Sequence, residues 1–538
     1  MKKIEFFFIF FISLLTLFLS FYPIIYRYQT TPPGRVYVGT EFFTEDFAGY
    51  VSTINQGRKG NIWYEDKFTS EELPQTILYY PYLIFGHLAR FLGLSAPVMY
   101  HLIRLTLGAL YLFAVYLLIK HFFPNQTKAD SFKRIVTFLI ITYTSSLFTS
   151  VLSQTTAEIQ VFTRFLIQPH YLLGNIFLLF LIYLFIKFIS HLEDPTIRRG
   201  CGDLSKEITT LISFARNDKM IVFSSITIFL LTFFRPSHTL IILLSVFLYA
   251  IYLLFKKSLS GKFFVYSLCI FLSSLPGVFY LLYLKNTYPF LPYFAYDKNS
   301  ISVSLVDFVF SFGLNLIFII VGFFILIRKK NTNQPTIFLF SYLAAIFFSL
   351  FIAPNLLPLN ALRFVQTPTF IIVGLLTSLV IFKLTKNFYL IIASCVLVLV
   401  SSFPTLITDF RHQVKLYYDA YYIWPPKSYF AGFSFLEKNS RPEEIVLTYH
   451  SLSNLVPMFS GNTVYWGHGN ETLNYQEKKM QVENFYSGKM SETEAKSFLS
   501  KNSVRYVLVG IEEKNLGWRR YSFIKQVFTN PELTIYSY

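Results

Sequence analysis

Residues 44–68, TEDFAGYVSTINQGRKGNIWYEDKF, set the acids Glu45, Asp46, Glu65 and Asp66 among aromatics, between two apolar runs each long enough to cross a bilayer. The run before it, IEFFFIFFISLLTLFLSFYP (4–23), follows Lys2 and Lys3. It ends in bulky aromatics with no small-residue cleavage site, so it reads as a retained anchor rather than a cleaved signal peptide. The next run begins near 98, which makes residues 23–97 one long loop on a single side of the membrane. Outward from this stretch the whole chain is apolar. Its 538 residues are 54% hydrophobic, 20% aromatic and only 14% charged, with a mean hydropathy of +0.48, outside the range of soluble globular domains.

Apolar runs of about 20 residues, the bilayer-crossing length, recur near 4–22, 98–119, 135–153, 171–190, 220–234, 239–255, 263–284, 304–327, 335–353, 365–382 and 388–404. Eleven spans are expected. Lys2 and Lys3, Lys128, Lys133 and Arg134, Arg198 to Lys219, Lys256 to Lys262, Arg328 to Lys330, and Lys383 and Lys386 fall in alternate connections. The positive-inside rule makes those connections and the N-terminus cytoplasmic and the tail after 404 extracytoplasmic. The net charge of +17 is then largely topological signal, and no basic-aromatic nucleic-acid module is present. The three cysteines, Cys201, Cys269 and Cys395, fall in a cytoplasmic loop and two spans. Neither a disulfide in the outer tail nor a zinc cluster is expected. The Phe, Ile, Lys, Asn and Tyr bias points to a bacterial source, hence a multi-pass protein of the bacterial cytoplasmic membrane.

After Pro404 the pattern becomes that of a small α/β domain. EEIVLTYHS, NTVYWG, VRYVLVG and LTIYSY read as strands, NYQEKKMQVENFYSG and SETEAKSFLSKN as helices, the latter capped by Ser491 with Glu494 three residues on. The expected organisation is a membrane domain, 1–404, and an extracytoplasmic domain, 405–538. Within the first outer loop, residues 77–94 show helical apolar spacing interrupted by Pro81 and Gly86. They are expected to lie in the headgroup layer or to pack on neighbouring spans.

Ionisable residues at the edge of hydrocarbon are costly unless they face protein or water, and so are candidate site residues. Asp46, with Glu45 beside it, can take a proton from an acceptor hydroxyl or bind a divalent ion, and Tyr50 would share its helix face. The same letters also read as a helix start, Thr44 capping and the acids offsetting the helix dipole. Glu158 offers a second outer carboxylate. Arg104 and His101 in YHLIRLTLG, Arg235 and His238 in RPSH, Arg363 and His170 supply the complementary cations. A departing phosphate needs fixed positive charge, which arginine gives bidentately; snorkelling to lipid headgroups explains each one equally. No hydrolase elbow, P-loop or dinucleotide fingerprint is found.

One inside-out span, a long acidic first loop, a juxtamembrane helix, many further spans and an outer α/β tail together resemble the GT-C superfamily of polytopic glycosyltransferases. The stretches that carry the resemblance are DFAGYVSTINQGRKGN, YYPYLIFGHLARFLGLS, AEIQVFTRFLIQPHYLLGN, LPLNALRFVQTPTFIIVGLL and MFSGNTVYWGHGNETLNYQEKKMQVENFYSGKM. The resemblance implies transfer of a hexosyl or pentosyl group, with inversion, from a polyprenyl-phosphate carrier to a glycan, lipid or protein acceptor outside the membrane. It implies Asp46 as base, Glu158 as second acid and Arg363 on carrier phosphate. A divalent metal, if one takes part, falls to Asp46 and Glu158. Two readings compete: a transporter of lipid-linked saccharides, expected to break helices at mid-bilayer, and a non-catalytic envelope sensor. In the latter, the aromatics near His468 and Glu471 stack on a sugar or simply pack a turn.

Overall fold

The computed structural model describes residues 2–40, 43–77, 79–145, 168–192, 204–287, 304–328, 333–352, 364, 369–415 and 420–538. Where described, the expected apolar runs fall mostly on helix, accompanied by further helices. In chain order these are α1 (Lys2–Gln29), α2 (Thr44–Lys59), α3 (Tyr80–Leu92), α4 (Ala96–Phe122), α5 (Lys128–Tyr143), α6 (Pro169–Leu192), α7 (Leu204–Phe234), α8 (Pro236–Phe255), α9 (Gly261–Thr287), α10 (Leu305–Ser311), α11 (Asn315–Arg328), α12 (Gln334–Phe351), α13 (Thr369–Leu384) and α14 (Phe388–Val414). Among the described residues, seven helices are long and apolar enough to cross a membrane, and three shorter apolar helices accompany them. The chain is a polytopic α-helical membrane protein with a small C-terminal sheet. The run expected as one span over 304–327 is two helices, α10 and α11, parted at Gly313, whose φ of +55° suits glycine. In α1, Phe6, Phe7, Phe10 and Phe11 are each more than half exposed, an apolar face that lipid rather than water must cover.

Contacts divide the described chain into two units: residues within Met1–Ser20, Leu105–Thr287 and Asp297–His412, and residues within Phe21–Arg104 and Gln413–Tyr538. The sequence reading drew one boundary near 404; by contacts, the first loop groups with the tail.

The first unit is held by buried polar ties as well as apolar packing. Glu5 on α1 accepts from Tyr116 on α4 (2.7 Å) and from Ser131 on α5 (2.7 Å), and is gripped from two sides by Arg134, whose Nη2 lies 2.7 Å from Oε2. Helix α13 is buried almost throughout, packing on α5 and α11. Close approaches are made at small residues, as expected where no water drives helices together: a Cβ on Gly277 would stand 2.7 Å from Thr232 Cγ2, and one on Gly374 2.9 Å from Ile141 Cγ1.

In the second unit the sheet order is β2-β1-β3-β5-β4, with β1 (Ile445–Leu447), β2 (Thr463–Val464), β3 (Val504–Val509), β4 (Lys525–Thr529) and β5 (Thr534–Ser537). Strand β1 pairs in parallel with β2 and β3, while β3, β5 and β4 run antiparallel. The four expected strands are present; β4, KQVFT, is the addition. It is a mostly exposed edge strand, so it carries none of the apolar alternation that marks a half-buried strand. Helices α15 (Tyr429–Asn439), α16 (His450–Phe459), α17 (Tyr475–Tyr486) and α18 (Glu492–Lys501) complete the tail. Ser491 and Glu494 form the expected capping box on α18. Trp466, Phe485, Tyr486, Leu499, Val507 and Tyr521 fill the core.

Candidate active site

Helix α2 begins with Phe43 as N-cap and no side-chain cap bond. Thr44 is therefore the first helical residue, not the cap. Glu45 and Asp46 lie in the first turn, where carboxylates complement the helix dipole. That start alone would be an ordinary helix end. What distinguishes it is that successive residues of the first two turns are each held by a different segment.

Phe47 packs edge-on to Tyr100 (centroids 4.9 Å) and along His101 (5.8 Å) at the start of α4. Tyr50 stacks on Tyr82 of α3 at 4.4 Å and meets Tyr79 edge-on. Helices α2 and α3 approach through Gly57 and Gly86: a Cβ on Gly86 would lie 2.2 Å from the Ile54 carbonyl oxygen, and one on Gly57 2.2 Å from that of Leu83. Gly86 thus marks the contact itself, where the sequence showed only an interruption of an apolar face. The opposite face of α3 leaves Ile84, Leu88, Phe91 and Leu92 exposed.

The acids are met by the tail. Glu45 Oε2 accepts the Gly469 N–H (3.2 Å), and Asp46 Oδ1 lies 3.3 Å from His468 Nε2. Glu471 follows, its Oε1 3.4 Å from the position a Cβ would take on Gly49, and it accepts from the Tyr64 hydroxyl at 3.4 Å. Asp66 accepts the Phe68 N–H (2.8 Å) through one oxygen; its Oδ2 is buried without a hydrogen-bond partner. Burial raises the pKa of Glu471, opposed by His468 and assisted by Asp46. Burial, then the charge of Glu471, raises that of Asp66. For His468 burial opposes charging, but Glu471, the Asp46 hydrogen bond and Glu45 outweigh it and lift the ring to about 9. The Asn470 N–H that donates to Nδ1 (3.1 Å) resists a second proton. An Nε2–H facing Asp46 is common to both protonation states.

Arg104 and His101 belong to the same unit. His101 Nε2 lies 2.6 Å from the Gly39 carbonyl oxygen, and the guanidinium groups of Arg27 and Arg104 are within electrostatic reach of the ring. Arg27 and Arg104 are both 2% exposed. Arg27 donates to the Thr40 carbonyl (2.9 Å) and to that of Gln413.

The remaining cations lie in the first unit. Arg235 is the N-cap of α8, its guanidinium 3.7 Å over the Tyr171 ring, with Nε and Nη2 buried and unbonded. His238 Nε2 lies 2.9 Å from Asn175 Oδ1, and a Cβ on Gly174 would stand 2.5 Å from Arg235 Cγ. His170 stands beside Tyr171 (4.4 Å). Glu158 and Arg363 lie outside the described residues. Among the described residues no three His, Cys, Asp or Glu side chains are arranged to hold a metal ion. Sequence reasoning did not place His468 or Glu471 beside Asp46, and it did not single out Asp66 or Arg27. The one available signal was the His468 and Glu471 spacing in a polar, glycine-flanked loop.

The fold is that of the GT-C polytopic glycosyltransferases. The oligosaccharyltransferase AglB of Archaeoglobus fulgidus, in its apo form, superposes over 94% of this chain and 70% of its own (TM-score 0.55, 13% identity). It has also been seen with an inhibitory peptide and a dolichol-phosphate (TM-score 0.55, 13% identity, over the same shares). ArnT from Cupriavidus metallidurans bound to undecaprenyl phosphate covers 98% of this chain and 97% of its own (TM-score 0.51, 10% identity). The arabinofuranosyltransferase AftD from Mycobacteria covers 98% of this chain but 41% of its own (TM-score 0.50, 13% identity). No family model matches the chain, and no curated protein matches it in sequence.

Proposed function

We propose that the protein is an inverting glycosyltransferase that moves a sugar from a polyprenyl-phosphate carrier to a cell-envelope acceptor on the outer face of the bacterial cytoplasmic membrane. The observation that carries this is the anchoring of Asp46. Its carboxyl is 34% exposed on a helix turn whose residues Glu45, Phe47 and Tyr50 are each held by another segment. A general base needs both: reach to the acceptor hydroxyl, and a set orientation. The acceptor oxygen attacks the anomeric carbon as the carbon–oxygen bond to phosphate breaks; the hydroxyl proton passes to Asp46, and the polyprenyl phosphate leaves with the bonding pair. Arg104 is a buried cation of the same unit suited to receive that charge. The relatives seen with dolichol phosphate and undecaprenyl phosphate support a lipid-linked donor, and the exposed face of α3 suits the headgroup layer.

The transporter reading expects helices broken at mid-bilayer; the two readings are separated by whether sugar leaves its carrier in detergent. Purified full-length chain in detergent, given radiolabelled hexose and pentose esters of a polyprenyl phosphate, is expected to release sugar to water or to an added acceptor. Movement of an intact ester across a sealed bilayer, with no release in detergent, would contradict the transferase reading.

A further inference from the structure

His468 reaches Asp46 from 422 residues further along the chain, and the reaction as written gives it no part. We infer that His468, backed by Glu471, is a positioning residue that fixes the Asp46 carboxylate for proton abstraction; this rests on the reading of Asp46 as the base. The ring cannot itself be that base, because both nitrogens are engaged: Nε2 with Asp46 Oδ1 and Nδ1 with the Asn470 N–H. It is 3% exposed, with Phe68 edge-on at 5.7 Å.

Its loop is pinned to the same helix and to the segment before Thr69. Gly469 N–H holds Glu45. Thr472 Oγ1 accepts the Gly467 N–H (3.0 Å) and donates to the Phe68 carbonyl (2.7 Å). The Glu471 N–H closes the turn on the His468 carbonyl (3.1 Å), and the Leu473 N–H donates to Thr69 Oγ1 (3.2 Å). Glu471 itself lies against Gly49, one turn on from Asp46, where a larger residue would meet its carboxylate. One Asp46 oxygen is thereby tied down, and a carboxylate that is tied at one edge loses its rotamer freedom before the acceptor arrives. The tail thus completes the site on α2.

The test has two arms. Full-length chain in lipid is labelled with 15N at its nine histidines, and His468→Gln identifies the His468 ring signals in solid-state NMR spectra. The expected ring carries a proton on Nε2 whose resonance moves on Asp46→Asn. A proton on Nδ1 alone, or a resonance that Asp46→Asn leaves unmoved, overturns the inference. In the second arm, with the polyprenyl-phosphate sugar that the natural chain turns over, His468→Phe is expected to lose about tenfold to 10²-fold in kcat with KM nearly unchanged. His468→Gln, which keeps an N–H donor of similar reach, recovers most of it. Equal losses in both variants, or a loss confined to KM, overturn the inference. Activity in Asp46→Asn would instead remove the base reading, and the spectra still decide whether the His468 contact exists.

Discussion

Gly86→Ala is the most exposing single change in the second unit. The added Cβ would lie 2.2 Å from the Ile54 carbonyl oxygen, 2.7 Å from Gly57 Cα and 2.8 Å from the Arg58 nitrogen. All three are backbone atoms, so no rotamer relieves the clash, and carbon needs about 3.5 Å. Helix α3 must retreat from α2 by roughly 1 Å, against a typical overpacking penalty of about 1–3 kcal/mol. The retreat also disturbs the Tyr50–Tyr82 stack, one turn from Asp46, and a misplacement of about 1 Å can cost on the order of 10²-fold in rate. Thermal unfolding of the purified chain should show a clear drop for Gly86→Ala, and sugar release a larger proportional loss. Gly261→Ala, where a Cβ meets nothing within 4 Å, is the control. If Gly86→Ala unfolds and turns over like the Gly261→Ala control, the close α2–α3 crossing is refuted.

Other perturbations separate the two units. Glu5→Ala strands the buried Arg134 and is expected to lower stability by about 3–5 kcal/mol, with the Glu5→Leu, Arg134→Met double variant less affected; a double variant worse than both singles would contradict the buried pair. Burial pushes the Glu513 carboxyl up to about 7 from 4.5, against N–H donors from Tyr449 and Gly510. A raised carboxyl stabilises the fold when protonated: its contribution is complete below about pH 4.5 and is lost as pH rises through 7, about 3 kcal/mol in all. The stability of the natural chain relative to Glu513→Gln, read by thermal unfolding, should therefore fall from pH 5 to pH 7.5; a constant difference would rule out that titration. Arg235→Gln removes the guanidinium over Tyr171 and is expected to lower stability by about 0.5–2 kcal/mol, the scale of a desolvated cation–π contact. An unchanged unfolding temperature would contradict that contact.

Hydropathy made the spans legible because a bilayer imposes one length and one composition on every crossing helix. The tail strands β1, β2, β3 and β5 were legible from β-branched runs bounded by turns, and α18 from its capping box. Edge strand β4 was not, since solvent rather than core selects its side chains. The Asp46 site was half legible. An acidic pair at a helix start is a local pattern; the arrival of His468 and Glu471 is not, because no periodicity links residues more than 400 positions apart. The glycines Gly57 and Gly86 carry no side-chain signal at all, yet they set how closely α3 approaches α2. Glu5 was hidden in an apolar run that reads as anchor, and only packing reveals Arg134 as its partner.

The central claim is that a negative oxygen at position 46 removes the acceptor proton. The direct measurement is single-turnover release of polyprenyl phosphate by the natural chain and by Asp46→Asn, both monodisperse and thermally matched. Asp46→Asn keeps shape and loses basicity, so its chemical step should fall by about 10²-fold to 10⁴-fold, the usual contribution of a general base. A rate within twofold of the natural chain would mean that the proton leaves by another route and that the first-loop acid serves only to start its helix.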